Sequence, residues 1–472
     1  MTRAGLVGLL LIGFGGAVQA EPRAWLAGDH HVHSQRSGEF LTFADGTTRY
    51  SPGIDGVYPI ARNAERARAH GLAWMAAIDH GGLGLSAVRA QTVHAELLQS
   101  RQRVPEVIQF YGMEFDTPGA DHSSLIMPIR PDEADQLRDL EAAYETHEVL
   151  GANAQRDKPA LMLEALRAMA AQPSPPIVIA NHPSRGARAP GDHQTDALAR
   201  FRAWNDLAPD VAIGMEGAPG HQAAHSAWGR LPSDRRARGL YRGAPTLGGF
   251  DEMTARLGGV WDDLLSEGRH WWITANSDSH RNFRDGGEDF WPGEYAKTYV
   301  LARRDGDDIL DGLRKGRVFA TTGDLIASLD VVASAGKARA SLGQTLPIKP
   351  GSAVTLDIRL RDPAAPNAAG RRPELRRIDV ILGDVGASGP RARVVRRLSP
   401  SDWTRDGETI SASVVLPALD HAAYVRLRGT AGEELEPASD AADEDPWADL
   451  WFYANPIFIT PRAAPAVRSK TP

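Results

Sequence analysis

Six short apolar runs recur through the first part of the chain, at 27–32, 73–78, 107–111, 177–180, 211–215 and 271–275. Each is brief and closes on polar or glycine residues, the pattern of a buried strand rather than a helix. Stretches such as 59–70 and 160–171 lie between them and carry apolar residues at helical spacing. Strand and helix in alternation predict an α/β fold with a parallel sheet, whose chemistry gathers at the C-terminal ends of the strands. After residue 325 the pattern turns to period-two alternation, clearest at 328–332, 353–360, 377–382, 410–416 and 423–428. Proline- and glycine-rich turns separate these runs, which predicts a β-sandwich of roughly 130 residues. The expected organisation is a catalytic α/β domain over 21–324 and a β-sandwich over 325–460. An acidic surface loop is expected at 432–449, and a loose tail at 461–472.

Composition narrows the classes. A chain of 472 residues exceeds one comfortable core, which agrees with two domains. The net charge of -7 argues against a general nucleic-acid binder, since such affinity rests on clustered Lys and Arg. There is no cysteine, so any metal must be held by imidazole nitrogen and carboxylate oxygen. Residues 1–20 read as a secretory signal: Arg3, an apolar run over 6–14, and Val18-Gln19-Ala20 before Glu21. The apolar run is shorter than the about 20 residues that span a bilayer. The expectation is a periplasmic or secreted protein with no membrane attachment after cleavage.

Histidine is unevenly placed, fourteen of the fifteen standing at or before His280. Gly28-Asp29-His30-His31-Val32-His33 ends the first apolar run. On a strand His31 and His33 point to one face and His30 to the other, so the first two form a natural chelate. The later runs end similarly: Asp79-His80, Gly112-Met113-Glu114 followed by His122, Asn181-His182-Pro183, Glu216, and Ser277-Asp278-Ser279-His280. One such strand end is unremarkable. Their recurrence after successive apolar runs predicts a polynuclear metal site, because so many buried donors repel one another without cations.

The His-x-His, Asp-His, Gly-x-Glu, His-Pro and Ser-Asp-x-His series over about residues 26–281 resembles the PHP (polymerase and histidinol phosphatase) superfamily. Phe319-Ala320-Thr321-Thr322-Gly323 and Tyr453-Ala454-Asn455-Pro456-Ile457 resemble its carbaryl-hydrolase-like (CehA/McbA) branch, which appends a β-sandwich. The resemblance implies a distorted (β/α)7 PHP-type barrel with two or three divalent cations (Zn, Mn or Fe). It implies His31, His33, Glu114 and Asp278 at a first ion, and Glu114, His122 and His182 at a second. His80 and His280 are implied at a third, where Ser37-Gly38-Glu39 stands in place of the frequent Ser-Asp-Gly and Glu39 is the substitute ligand. Asp79 would ligate, or orient a ligand from behind. Ile78 stands where the family usually has Thr.

Around this set, Arg185, Arg281 and Lys297 are candidate grips for an anionic substrate, and His221 and His225 candidate leaving-group acids. The expected activity is hydrolysis of a small-molecule ester, a phosphoester first. A carboxylic ester, amide or carbamate is the alternative, and a non-catalytic binding role for the sandwich the third reading.

Overall fold

The computed structural model describes residues 21–192, 194–220, 241, 243–386, 392–440 and 444–462, with the side chains of Glu39, Phe40 and Gln194 excepted. The expected signal at 1–20, the tail from 463, and His221 and His225 lie outside the described residues. No helix among those described is long and apolar enough to cross a membrane.

The N-terminal part contains strands β1 (Ala24–Val32), β2 (Gly38–Thr42), β3 (Thr48–Pro52), β4 (Trp74–Ala77), β5 (Ile108–Asp116), β6 (His122–Ile126), β7 (Ile177–Ala180), β8 (Ala212–Ala218), β9 (Trp272–Ala275), β10 (Ala296–Ala302) and β11 (Val318–Thr322). Helices Ile60–Ala69, Ala95–Arg103, Glu133–Tyr144, Pro159–Ala170, Gln194–Leu207 and Val260–Ser266 fall between them. Proline stands just before the first of these and at the first position of Pro159–Ala170, where a missing N–H costs nothing.

The sheet runs β10-β1-β4-β5-β6-β7-β8-β9. Pairs β1·β4, β4·β5, β7·β8 and β8·β9 are parallel. The wholly parallel expectation fails at β6, which is antiparallel to both β5 and β7. It also fails at β1·β10 and β10·β11. The sheet is therefore mixed. Strands β4, β7 and β9 are buried along their whole length, which is why they read as continuous apolar runs.

The C-terminal part contains β12 (Ser328–Ala335), β13 (Ala338–Ala340), β14 (Thr345–Ile348), β15 (Thr355–Arg361), β16 (Arg377–Asp384), β17 (Arg393–Leu398), β18 (Thr404–Asp406), β19 (Thr409–Val415), β20 (Ala423–Thr430), β21 (Trp451–Ala454) and β22 (Ile457–Pro461). One layer is the sheet β13-β12-β15-β19-β18. The other, β14-β22-β20-β21 with β16 and β17, joins the first sheet because β21 pairs with β11. The two halves thus share hydrogen bonds as well as packing. Asn455 adds a second tie, accepting from Ile273 N at 2.9 Å and donating to Ile273 O at 3.3 Å, inside β9. Trp261, Trp271, Trp272 and Trp451 are fully buried around this junction. Each such ring contributes about 4 to 6 kcal/mol of gross apolar burial.

Candidate metal centre

The polar clusters meet at one end of the sheet. Alternation along β1 sends His30 into the interior, where its ring faces Ser124 Oγ at 3.1 Å and Thr274 Oγ1 at 2.8 Å. Burial, with the charge of His31 beside it, pushes His30 down to about 3, so it is a neutral bridge between strands. His31 and His33 point the other way, with their Nε2 atoms 3.1 Å apart. Asp278 Oδ1 lies 3.0 Å from His31 Nε2 and 3.2 Å from His33 Nε2. Glu114 completes the group, Oε1 at 3.3 Å from His31 Nε2 and Oε2 at 3.2 Å from His33 Nε2. All four side chains are buried.

The rear nitrogens of both rings are occupied by proton acceptors. His31 Nδ1 faces Glu216 Oε1 at 2.7 Å. His33 Nδ1 faces Ser37 Oγ at 3.0 Å, whose own proton goes to Asp55 at 2.5 Å. These partners place the ring protons on Nδ1 and leave the Nε2 lone pairs converging on two carboxylates. Such a convergence requires positive charge. Burial works against charge on His31, yet Asp278, Glu114 and Glu216 hold its pKa well above the usual imidazole range. A divalent cation would satisfy all four donors at once. Ligand atoms about 2.1 Å from a shared tetrahedral ion stand about 3.4 Å from one another, close to the separations seen.

Glu114 is the hub. Its Oε1 is 3.0 Å from His122 Nδ1 and 3.1 Å from His182 Nε2, and its Oε2 is 3.1 Å from His80 Nε2. Burial opposes its charge, but the imidazoles of His122, His31 and His80 outweigh that and hold the carboxyl well below its ordinary range. Asp121, His122 and His182 form a further compact group beside it. A third group joins His33, Asp55, His80 and His280, with His280 Nε2 3.0 Å from Asp55 Oδ1. Asp55, which no sequence pattern singles out, belongs to this group. The backbone of Glu39 lies in β2, and its side chain is outside the described residues. Burial pushes His80 down to about 4, which keeps its nitrogen available as a donor.

Backbone strain marks two of these residues. His182 and Asp278 have φ of 27° and 45°, a region that side chains other than glycine enter rarely and mostly under functional constraint. The short run after β9 is anchored by Asp29, which accepts from Ser277 N at 3.1 Å and from His31 N at 3.1 Å. His182 N is bonded to Glu216 Oε2, so Glu216 holds both His31 and His182.

Asp79 is in none of the groups named above. It accepts from Ser34 N at 2.5 Å and Ser34 Oγ at 2.7 Å and is fully buried. It fixes the chain just after His33. Asp79→Ala would leave a buried N–H without its acceptor, a loss of about 1–3 kcal/mol. The expected outcome is a lowered denaturation midpoint with weakened metal affinity at His33. Unchanged stability in a urea titration would remove Asp79 from this supporting role.

Arg185 Nη1 lies 3.7 Å from Asp278 Oδ2, and the side chain is partly exposed. The other two candidate grips are turned elsewhere. Lys297 Nζ is paired with Asp324 at 2.5 Å, and Arg281 Nε donates to Asp285 O at 3.1 Å. Comparison with protein-family models and with curated proteins found no match.

Proposed function

We propose that the protein is a metal-dependent hydrolase of the PHP type, acting on small phosphoesters. The observation that carries this is the shared use of Glu114 by five imidazoles, two of which also meet Asp278 within 3.2 Å. A distorted barrel is part of the proposal. It is supported by Thr298 of β10, whose Oγ1 accepts from Ala275 N at 2.7 Å and donates to Ala275 O at 2.6 Å, joining the two ends of the β10-to-β9 run.

Divalent cations at these groups would supply Lewis acidity to the ester and lower the pKa of water to near neutrality. The chain's own residues do the rest. Glu216 and Ser37 hold the protons of His31 and His33 on Nδ1, so both Nε2 atoms remain donors. Glu114 ties the groups together, and His31, His33 and Asp278 beside it are buried. Arg185, mostly buried and facing Asp278, is placed to bind an anionic ester oxygen. Arg185→Ala is expected to raise KM for a phosphoester by about tenfold or more, the worth of a charge-assisted hydrogen bond, with a smaller change in kcat. Turnover of a neutral aryl ester would be little affected. Equal KM values for the phosphoester in variant and parent would dismiss Arg185 as the anion grip.

Hydrolysis of a carboxylic ester or carbamate is the second reading, favoured by the engagement of Lys297 and Arg281 away from the centre. One experiment separates the two. Full-length protein is analysed for bound metal and assayed on phosphomonoesters, phosphodiesters, aryl esters and carbamates, before and after chelation. Chelator-sensitive phosphoester turnover is expected. Turnover confined to the neutral esters transfers the proposal to the second reading, and turnover indifferent to chelator ends both.

A further inference from the structure

A second cluster lies beside the centre and shares no residue with the ligand groups described above. Asp116 ends β5 and is register-paired with His122 of β6. Its Oδ1 is 3.0 Å from His122 Nε2, and its Oδ2 is 2.9 Å from His147 Nδ1. Glu145 caps the helix Glu133–Tyr144, its N–H bonded to Glu141 O at 3.0 Å. The Glu145 side chain is fully buried, neither carboxylate oxygen has a hydrogen-bond partner of good geometry, and burial beside the Asp116 carboxylate pushes its carboxyl up to about 9. Its Oε1 lies 3.7 Å from His147 Nδ1, and one donor atom from each of Asp116, Glu145 and His147 falls within 4.8 Å of the others. Room for Glu145 is made by Gly81, next to His80. A Cβ on Gly81 would stand 2.7 Å from Glu145 Cγ.

A carboxylate buried without a donor is expensive unless it faces a cation or carries a proton. A proton would serve one oxygen only. A divalent cation would serve Glu145, the Asp116 oxygen turned toward His147, and the imidazole together. His147 is 47% exposed, which opens the cluster to solvent, so an ion can reach it.

We propose that Asp116, Glu145 and His147 hold a further divalent cation, distinct from the ions of the Glu114 centre. Two carboxylate oxygens and one imidazole, without thiolate, suit Mn2+ or Zn2+ and leave coordination positions for water. The site is coupled to the centre through one residue. His122 turns Nδ1 to Glu114 and Nε2 to Asp116, so charge drawn from Asp116 by an ion is felt at His122.

The test is a Mn2+ titration of chelator-stripped, full-length protein, counting bound ions per chain by elemental analysis after desalting. Parent, His147→Ala and Glu145→Gln are compared, each alone and in a His31→Ala background. The expected result is one ion fewer per chain in both variants than in their own parent. The deficit persists in the His31→Ala background, where ions of the Glu114 centre are lost separately. Because His147 is half-exposed, His147→Ala keeps the test open if Glu145→Gln fails to fold. Equal ion counts in parent and His147→Ala overturn the site. Equal counts together with a raised Tm in Glu145→Gln assign a buried proton to Glu145 in place of the cation.

Discussion

Asp278→Ala is expected to abolish the proposed hydrolysis and to lower the metal bound at the candidate centre by at least one ion per chain, while the far-ultraviolet dichroism stays that of the parent. The carboxylate meets both Nε2 atoms of the His31–His33 pair with one oxygen and Arg185 with the other. Removing it strips the group of one of its two carboxylates and leaves two imidazole lone pairs facing each other. Loss of an outer partner of a metal ligand costs about 10- to 100-fold in affinity or activity, so loss of the ligand itself should cost on the order of 10^3-fold or more in kcat. The fold should survive, because the cost of alanine in the left-handed turn at position 278 is confined to that turn. Neighbouring Ser277 and Ser279 remain tied to Asp29 and His33 through their backbones. Steady-state kinetics and elemental analysis on the same preparation decide the matter. Parental kcat with parental metal content would place Asp278 outside the centre and dissolve the first ligand group.

Much of this centre was legible because it is built on strand periodicity. The alternation of β1 alone separates the candidate ligand pair His31 and His33 from His30, which bridges Ser124 and Thr274. The recurrence of acid or imidazole at successive strand ends is a statement about one end of a sheet. Three parts were hidden, each for a physical reason. Asp55 sits in the Gly53–Gly56 turn with no apolar run before it, and only the folded chain brings it to His33, directly at 3.3 Å and through Ser37. The strand β6 was missed because His122-Ser123-Ser124-Leu125-Ile126 lacks an apolar pattern. Its buried serines are paid for by hydrogen bonds to Thr117 and Asn181, which no local rule anticipates. Glu216 was seen as a strand-end carboxylate, but its work on the backs of His31 and His182 is visible only when three strands are brought together.

The β-rich half shows the opposite limit. Tyr424-Val425-Arg426-Leu427-Arg428 alternates as if Arg426 and Arg428 faced water, and local pattern supports nothing else. Both are buried, because β20 lies between β16 and the β21–β22 pair with its arginine face against helix Val260–Ser266 and the acidic loop. Arg428 meets Asp379 at 3.0 Å and Glu436 at 2.7 Å. The solvent-facing side implied by alternation is buried instead: Arg426 is compensated by Asp262 across the junction between the two halves, and Arg428 by Asp379 and Glu436 within the C-terminal half.

Arg426→Ala is therefore expected to be the most destabilising single change outside the metal centre. Arg426 donates to both oxygens of Asp262, at 2.8 and 2.7 Å, with each side chain 1% exposed. Asp262 also accepts from Tyr424 Oη at 2.9 Å and from Gly258 N at 2.8 Å, and Arg426 lies over the Trp261 ring at 4.7 Å. Truncating the arginine leaves a carboxylate buried in the junction without its cation, a loss of about 3–5 kcal/mol. Replacing both partners with apolar residues of similar bulk, Arg426→Met with Asp262→Leu, should recover most of it, because the desolvation penalty is then removed with the attraction. The consequence reaches the centre by a stated route. The same junction carries Asn455, which clamps Ile273 in β9, and β9 delivers Asp278. Loosening the sandwich should weaken metal retention even though no ligand lies on it. The measurement is a urea titration beside a metal-release rate for parent, single and double variants. A single variant that unfolds at the parental midpoint would show the pair to be solvated, and one that loses stability but keeps parental metal retention would cut the link between β9 and the junction.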